Sequence, residues 1–296
     1  MKSSLLILPL FAASTASAIL SYSTDFENFS LGSDTNPANP LFVDPLMGAN
    51  NWKGNGLSGY DAEIVDVGGS NGQVLRLSNA LPSGNFDSTH PTTPFLDPAI
   101  GQTGSGGTPG IFRFSFDFSS VLSTEQVGLE VDVSPFASGT TFRQGILRIQ
   151  DFGDSNGGLT LSWIDYFDSA FEQTFIATGL SRTAWHNVEA ELSILNGSDN
   201  DIFNITVNSA PFAFTLGSWE GFYEDTLAGP KAADSLIFRV PNPTSGLPAV
   251  DGNGLYFDNV AISAEVIPEV SAVFILAFSG LLGALRRPRR SVVSTR

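Results

Sequence analysis

Residues 112–118 read Phe112-Arg113-Phe114-Ser115-Phe116-Asp117-Phe118. Phenylalanine stands at every second position, with arginine, serine and aspartate between. Successive side chains of an extended strand point to opposite faces, so this stretch is a strand with one aromatic face and one polar face. A helix would scatter the four rings around its circumference. The next segment repeats the alternation, with Val127, Leu129, Val131 and Val133 set against Gly128, Glu130 and Asp132. Strands with one apolar face need a second apolar layer over them, so the predicted architecture is sheet packed on sheet.

The rest of the chain supplies the other strands. Asp61–Val67 and Gln73–Leu77 flank the turn Gly68-Gly69-Ser70-Asn71-Gly72, a hairpin signal. Gly145–Gln150 and Leu159–Tyr166 flank Asp154-Ser155-Asn156-Gly157-Gly158, and Gln173–Ala177 precedes a turn at Gly179. Trp185–Leu195 and Asp201–Asn208 flank Asn196-Gly197-Ser198-Asp199-Asn200. Phe212–Leu216, Ser235–Val240 and Leu255–Ser263 close the series, and Ile19–Phe29 opens it. The only helical candidate, around Trp219–Leu227, is one or two turns long. Residues 32–59 and 82–110 are long Gly-, Pro- and Asn- or Thr-rich connections. Many short strands joined by Gly/Asn turns, with no internal repeat, predict an all-β fold. The expected body is an antiparallel β-sandwich or jelly roll over residues 19–264.

Composition narrows the function classes. The chain carries 14 Lys and Arg against 30 Asp and Glu. Six of the basic residues (Lys2, Arg286, Arg287, Arg289, Arg290, Arg296) lie in the two ends, while every acidic residue lies between Asp25 and Glu269, so that region carries 8 basic and 30 acidic groups, a net −22. Such a surface repels phosphate backbones, which argues against a nucleic-acid partner. There are no cysteines, so no disulfide framework supports the fold.

Both ends read as addresses. Lys2, the apolar run Leu5–Ala13 and the small-residue site Ala16-Ser17-Ala18 form a secretory signal peptide over residues 1–18, cleaved before Ile19. At the other end Val270–Leu285 is uncharged, and as a helix it is about 24 Å long, just short of a roughly 30 Å hydrocarbon core. Arg286, Arg287, Arg289 and Arg290 stop it on the cytoplasmic side, ahead of a tail at 291–296. The order Pro268-Glu269, apolar span, arginine cluster, over residues 265–290, resembles the PEP-CTERM sorting signal of bacterial surface proteins. The family motif is Pro-Glu-Pro, and here its third position is Val270. The resemblance implies a transmembrane helix at 270–285 and recognition by an exosortase-type membrane protease. It also implies release to the cell surface or extracellular matrix. The plain alternative is a C-terminal anchor helix.

The body resembles concanavalin-A-like and laminin-G-like jelly rolls. The residues that carry this are Trp185-His186-Asn187-Val188-Glu189-Ala190-Glu191-Leu192, Asn204-Ile205-Thr206-Val207-Asn208, the closing Leu255-Tyr256-Phe257-Asp258-Asn259-Val260-Ala261-Ile262, and the opening Asp25-Phe26-Glu27-Asn28. The resemblance implies three roles: a glycan-associated or structural module, a polysaccharide-active glycoside hydrolase, or a protein–protein adhesion module.

No catalytic residues are assigned. Glu130-Val131-Asp132 puts two acids on one strand face, but the glycosidase pattern Glu-x-Asp-x-x-Glu meets Pro135 at its third acid; Glu189-Ala190-Glu191 meets Ile194. His90 and His186 have no Gly-x-Ser-x-Gly partner, and His186 reads as a structural strand histidine. A structural calcium is expected at Glu27 with Asp258, where the resemblance brings first and last strands together. Asp151/Asp154/Asn156 and Asp199/Asn200/Asp201 are weaker clusters that also suit ordinary turns. Trp52, Trp163 and Trp219, with Tyr60, Tyr166 and Tyr223, are the candidate sugar-stacking aromatics, and an extracellular polysaccharide is the expected partner. Three sequons stand at Asn28, Asn196 and Asn204, and the resemblance to a bacterial sorting signal implies that they are chance matches.

Overall fold

The computed structural model describes residues 19–33, 52, 61–79, 92–94, 96, 100–102, 110–137, 143–153, 157–195, 200–226, 231–241 and 253–267. The signal peptide, the sorting motif Pro268-Glu269, the span 270–285, the arginine cluster and the tail all lie outside these residues. Ala18–Ile267 form one compact unit. Among the described residues, no helix is long and apolar enough to cross a membrane.

In chain order the strands begin with β1 (Ile19–Thr24), β2 (Gly32–Ser33), β3 (Asp61–Asp66), β4 (Gln73–Ser78), β5 (Ile100–Gln102), β6 (Gly110–Ser120), β7 (Leu129–Phe136) and β8 (Ile146–Asp151). They continue with β9 (Leu159–Phe167), β10 (Ala170–Leu180), β11 (His186–Ile194), β12 (Ile202–Val207) and β13 (Ala210–Pro211). A short helix α1 (Glu220–Thr226) precedes β14 (Lys231–Ala233), β15 (Ser235–Arg239) and β16 (Leu255–Val266). The fold is all-β and antiparallel, with two main sheets. The nine-stranded sheet runs β13-β12-β11-β6-β16-β4-β3-β2, with β1 beside β4 on the same edge of β16. The five-stranded sheet runs β10-β9-β8-β7-β15, and β14 pairs with β5 apart from both. This is an antiparallel β-sandwich of jelly-roll type.

The phenylalanine stripe organises it. Phe112, Phe114, Phe116 and Phe118 of β6 all face inward and are buried, while Arg113, Ser115 and Asp117 face out. Their rings meet the other sheet directly, with Phe116 edge-on to Phe238 of β15 at 6.2 Å. Trp163 of β9 lies flat on Phe203 of β12 with centroids 3.7 Å apart, joining the outer part of the two sheets, and its indole N–H donates to the Gly217 carbonyl at 2.8 Å. Trp52 closes one end, stacked on Phe238 at 5.7 Å and donating to the Tyr22 hydroxyl at 2.7 Å. Buried rings of this size contribute most of the core's apolar area, and offset or edge contacts are their favoured geometry.

Several element limits differ from the sequence reading. The opening strand stops at Thr24, because Phe26 takes a positive φ of 61° and turns its ring into the core. β10 is longer than Gln173–Ala177. Phe212–Leu216 is no strand: β13 stops at Pro211 and only Leu216 bridges back to Phe203. The helix lies where expected. β16 bulges between Asp258 and Ala261 with Asn259 at φ 49°, so it keeps its inward face while changing neighbour from β4 to β1.

Candidate functional site

The accessible site is an open groove of about 710 Å³ on the outer face of the nine-stranded sheet. Its floor follows from strand register. One row across the sheet is Asn204–Glu191–Arg113–Ser263–Ser21, contributed by β12, β11, β6, β16 and β1. The adjacent row is Pro211–Thr206–Glu189–Ser115–Ala261–Ser23. Five of these eleven floor positions are serine or alanine. Short side chains on adjoining strands leave space that the longer Glu, Arg and Thr side chains and the Phe212 ring border, and that is the physical cause of the depression. Phe212 lies against Phe214 with centroids 5.6 Å apart, and Phe214 is 71 % exposed.

The electrostatics centre on Arg113. Its Nε donates to Glu191 at 2.8 Å and its Nη1 to Glu265 at 3.0 Å. The hydrogen bond that the guanidinium donates to Glu265 is the largest influence on it and raises its pKa above the ordinary arginine value, with Glu191 adding to the same effect. Glu189 is exposed and faces Thr206 and Ser115 across the strands. The Thr206 hydroxyl is buried in the groove floor with no hydrogen-bond partner. Strand-borne hydroxyl, amide and carboxylate groups around an open trough, with one aromatic wall, suit multidentate recognition of a hydroxyl-rich chain.

The acid pair Glu130 and Asp132 lands on the opposite outer face, on the central part of the five-stranded sheet. Here the register row is Arg239–Asp132–Arg148–Ser162–Phe175. Asp132 is fully buried, and both carboxylate oxygens are engaged: Arg148 Nε donates to Oδ1 at 2.7 Å, and Arg148 Nη2 and Arg239 Nη1 donate to Oδ2 at 3.1 and 3.4 Å. Glu130 accepts from Gln150 Nε2 at 2.6 Å, and Gln173 Nε2 bridges Gln150 Oε1 and the Ser162 hydroxyl. Arg143 stacks over Trp219 at 4.5 Å, and burial lowers its pKa to about 9. Neither acid of this pair is presented to solvent.

None of the three candidate sugar-stacking tryptophans is open to a sugar: all are buried. Trp163 is a core ring between the sheets, Trp52 plugs an end, and Trp219 is roofed by Arg143 and packed among Phe171, Phe222 and Tyr223. A ring with both faces covered has none to offer a sugar. The aromatic at the groove is Phe212, at the mouth of a strand-edge turn, where hydrophobic alternation gives no signal.

The calcium pair is brought to one neighbourhood but not into a cage. Glu27 accepts the Gln73 backbone N–H at 2.8 Å, and Asp258 accepts from Asn71 Nδ2 at 3.5 Å and the Asn259 N–H at 2.7 Å. Asp258 is pushed up to about 6, first by burial and then by the nearby charges of Asp117 and Asp25. Its oxygens face N–H donors, the wrong polarity for a cation. Among the described residues, no group of three or more His, Cys, Asp or Glu is placed to hold a metal ion. Asp151 is instead paired with Arg182 at 2.8 Å, and Asp201 accepts from Leu195 N–H and the Ser218 hydroxyl; Asp154, Asn156 and Asp199 lie outside the described residues. His186 is buried with Nε2 on the Ser181 carbonyl and Nδ1 on Asn208, so both ring nitrogens are engaged in holding the β11 turn.

No family model matches the chain, and no curated protein sequence matches it. Similar solved structures include β-agarase A in complex with oligoagarose (TM-score 0.44, 14 % identity, covering 86 % of this chain and 95 % of that one). A prokaryotic β-1,3-1,4-glucanase (lichenase) from a mouse hindgut metagenome is similar at TM-score 0.41 and 10 % identity, covering 83 % and 99 %. The CBM2 module of the evolved Dit of Lactobacillus casei BL23 phage J-1 is similar at 0.41 and 12 %, covering 85 % and 98 %.

Proposed function

We propose that this chain is an exported, non-catalytic β-sandwich that binds extracellular polysaccharide in the groove of its nine-stranded sheet. The observation that carries the reading is the pair of in-register polar rows, Asn204–Glu191–Arg113–Ser263–Ser21 and Thr206–Glu189–Ser115, open to solvent beside Phe212. Binding is favoured over hydrolysis because a retaining glycosidase needs two free carboxyls about 5–5.5 Å apart. Of the two same-strand acid pairs, Glu130/Asp132 is buried with Asp132 held between two arginines, and in Glu189/Glu191 the second carboxylate is engaged by Arg113. A glycan array probed with the secreted protein is expected to give hits that weaken in Phe212→Ala. Binding that ignores this change, or release of reducing ends from a polysaccharide panel, overturns the reading.

The destination is proposed from the two ends of the sequence. The leader 1–18 directs export, and the Pro268-Glu269 motif, apolar span and arginine cluster hand the chain to an exosortase-type protease, which leaves it at the cell surface or in the matrix. Intact mass of the protein recovered from the cell exterior is expected to lack Arg286–Arg290. Retention of that cluster establishes an anchor instead.

A further inference from the structure

We infer that the groove selects a polysaccharide carrying free amino groups, with Glu189 as the residue that recognises the ammonium. This rests on the groove being the glycan site. Of the three carboxylates around Arg113, two are spent: Glu191 and Glu265 each accept from its guanidinium. Glu189 lies one row away, exposed, with Thr206 and Ser115 as its cross-strand neighbours, and no cation is in register with it. It is therefore the carboxylate of the groove that the arginine does not neutralise.

Its surroundings fit an ammonium better than any other group. Directly opposite residues of an antiparallel pair have Cβ atoms about 4.5–5.5 Å apart. Thr206 is thus the immediate neighbour of Glu189, but its hydroxyl oxygen is shut away from solvent in the floor, so the exposed Glu189 carboxylate is the group that meets the ligand. An ammonium brings N–H donors that the Glu189 carboxylate accepts in charge-assisted bonds. A divalent cation would need about six hard oxygen ligands, and the groove offers one uncommitted carboxylate. A uronate or sulfated glycan meets net negative charge twice, in the groove and in the net −22 between Asp25 and Glu269.

The test uses the full-length protein and two probes of equal length: a glucosamine oligomer and its fully N-acetylated counterpart, titrated calorimetrically at low and high salt. The amine form is expected to bind about tenfold tighter, the size of one charge-assisted hydrogen bond over a neutral one. That preference is expected to fall to about twofold or less in Glu189→Gln, and to persist in Glu172→Gln, an exposed acid of the other sheet whose loss changes net charge equally. Equal affinity for the two oligomers, or a preference that survives Glu189→Gln, overturns the inference. A preference lost equally in Glu172→Gln also overturns it, because general attraction to an acidic protein would then be the cause. Phe212→Ala separates the two readings. If it weakens both oligomers while their affinities are equal, the groove binds glycan and the amine selectivity fails. If it changes neither, the groove reading itself fails.

Discussion

On one outer face of the sandwich Arg113 lies between Glu191 and Glu265 with 39 % of its side chain exposed. On the other Asp132 lies between Arg148 and Arg239 with none exposed. The two motifs are mirror images in charge, one cation between two anions and one anion between two cations, and both are built by cross-strand register. What differs is water. In the exposed triad solvent screens every charge and the side chains remain available to a ligand. In the buried triad each charge depends on its partners, so the same chemistry becomes a structural fastening. The pair Glu130–Asp132, whose sequence pattern fails as a glycosidase motif at Pro135, therefore belongs to the face that holds the sheet together, and the groove with Glu189 and Glu191 belongs to the opposite face.

The sharpest way to break this comparison is Asp132→Ala. It leaves Arg148 and Arg239 buried around an empty position, and loss of one partner from a buried pair costs about 3–5 kcal/mol. Urea denaturation is expected to show a large loss of stability or no folded protein. Asp132→Asn, which keeps the shape and an acceptor, is expected to lose less. A stability change under about 1 kcal/mol for the alanine variant would mean the triad is effectively solvated and the two faces are alike.

Gly145→Ala tests the same face through its backbone. Gly145 sits at φ +149°, and an added Cβ would run into the Trp163 ring that joins the sheets. Overpacking of this kind costs about 1–3 kcal/mol, with the positive φ adding to it. A wild-type melting temperature would show that the Trp163–Phe203 stack yields easily.

Buried carboxylates give the next test, because Asp151 and Asp258 are both almost wholly inaccessible and shift in opposite directions. Burial pushes Asp151 up, but Arg182 and the N–H groups of Gln126 and Gly153 together bring it below the ordinary carboxylate range. Asp258 has no arginine and rises to about 6. A folded protein that keeps a proton the unfolded chain releases loses stability as pH rises from about 4 to about 6. Asp258→Asn is therefore expected to flatten that decline and to gain up to about 3 kcal/mol at neutral pH. Asp151 works the other way: its contribution is present above the unfolded carboxylate pKa and is lost as pH falls through the folded one, so Asp151→Asn is expected to be destabilising at neutral pH. Stability–pH profiles of the two variants that coincide would contradict both assignments.

The part of this structure legible in sequence is whatever depends on neighbours along the chain. The Phe112–Phe118 stripe, the 61–78 hairpin and the short helix near Trp219 are local patterns, and they stand. β10 was harder to bound because it is an edge strand wet along most of its length, so its residues need no strict alternation. The groove was invisible for a different reason. Its two rows join Ser21 to Ser263 and Arg113 to Glu191, residues far apart in the chain, and only the strand order places them side by side. The tryptophans misled because period-2 patterning says which residues share a face but not which face is covered. Trp163 alternates correctly and faces inward; Trp219 lies outside the core sheets and is buried by Arg143 and its aromatic neighbours.

The smallest expected effect closes the comparison. Arg113→Ala removes the cation from the exposed triad and leaves Glu191 and Glu265 facing each other across water. Exposed ion pairs contribute about 0–1 kcal/mol, and their repulsion once the arginine is gone is screened by salt. Thermal unfolding is expected to shift by a degree or two at low salt and less at high salt, in contrast to Asp132→Ala, whose deficit should be nearly independent of salt. The change at the groove should be larger than the change in stability, because two carboxylates neutralised by Arg113 become free to attract an ammonium. Arg113→Ala is thus expected to strengthen glucosamine-oligomer binding while barely moving the melting temperature. If the variant instead unfolds as readily as Asp132→Ala, the outer triad is also a fastening, and the two faces differ only in sign.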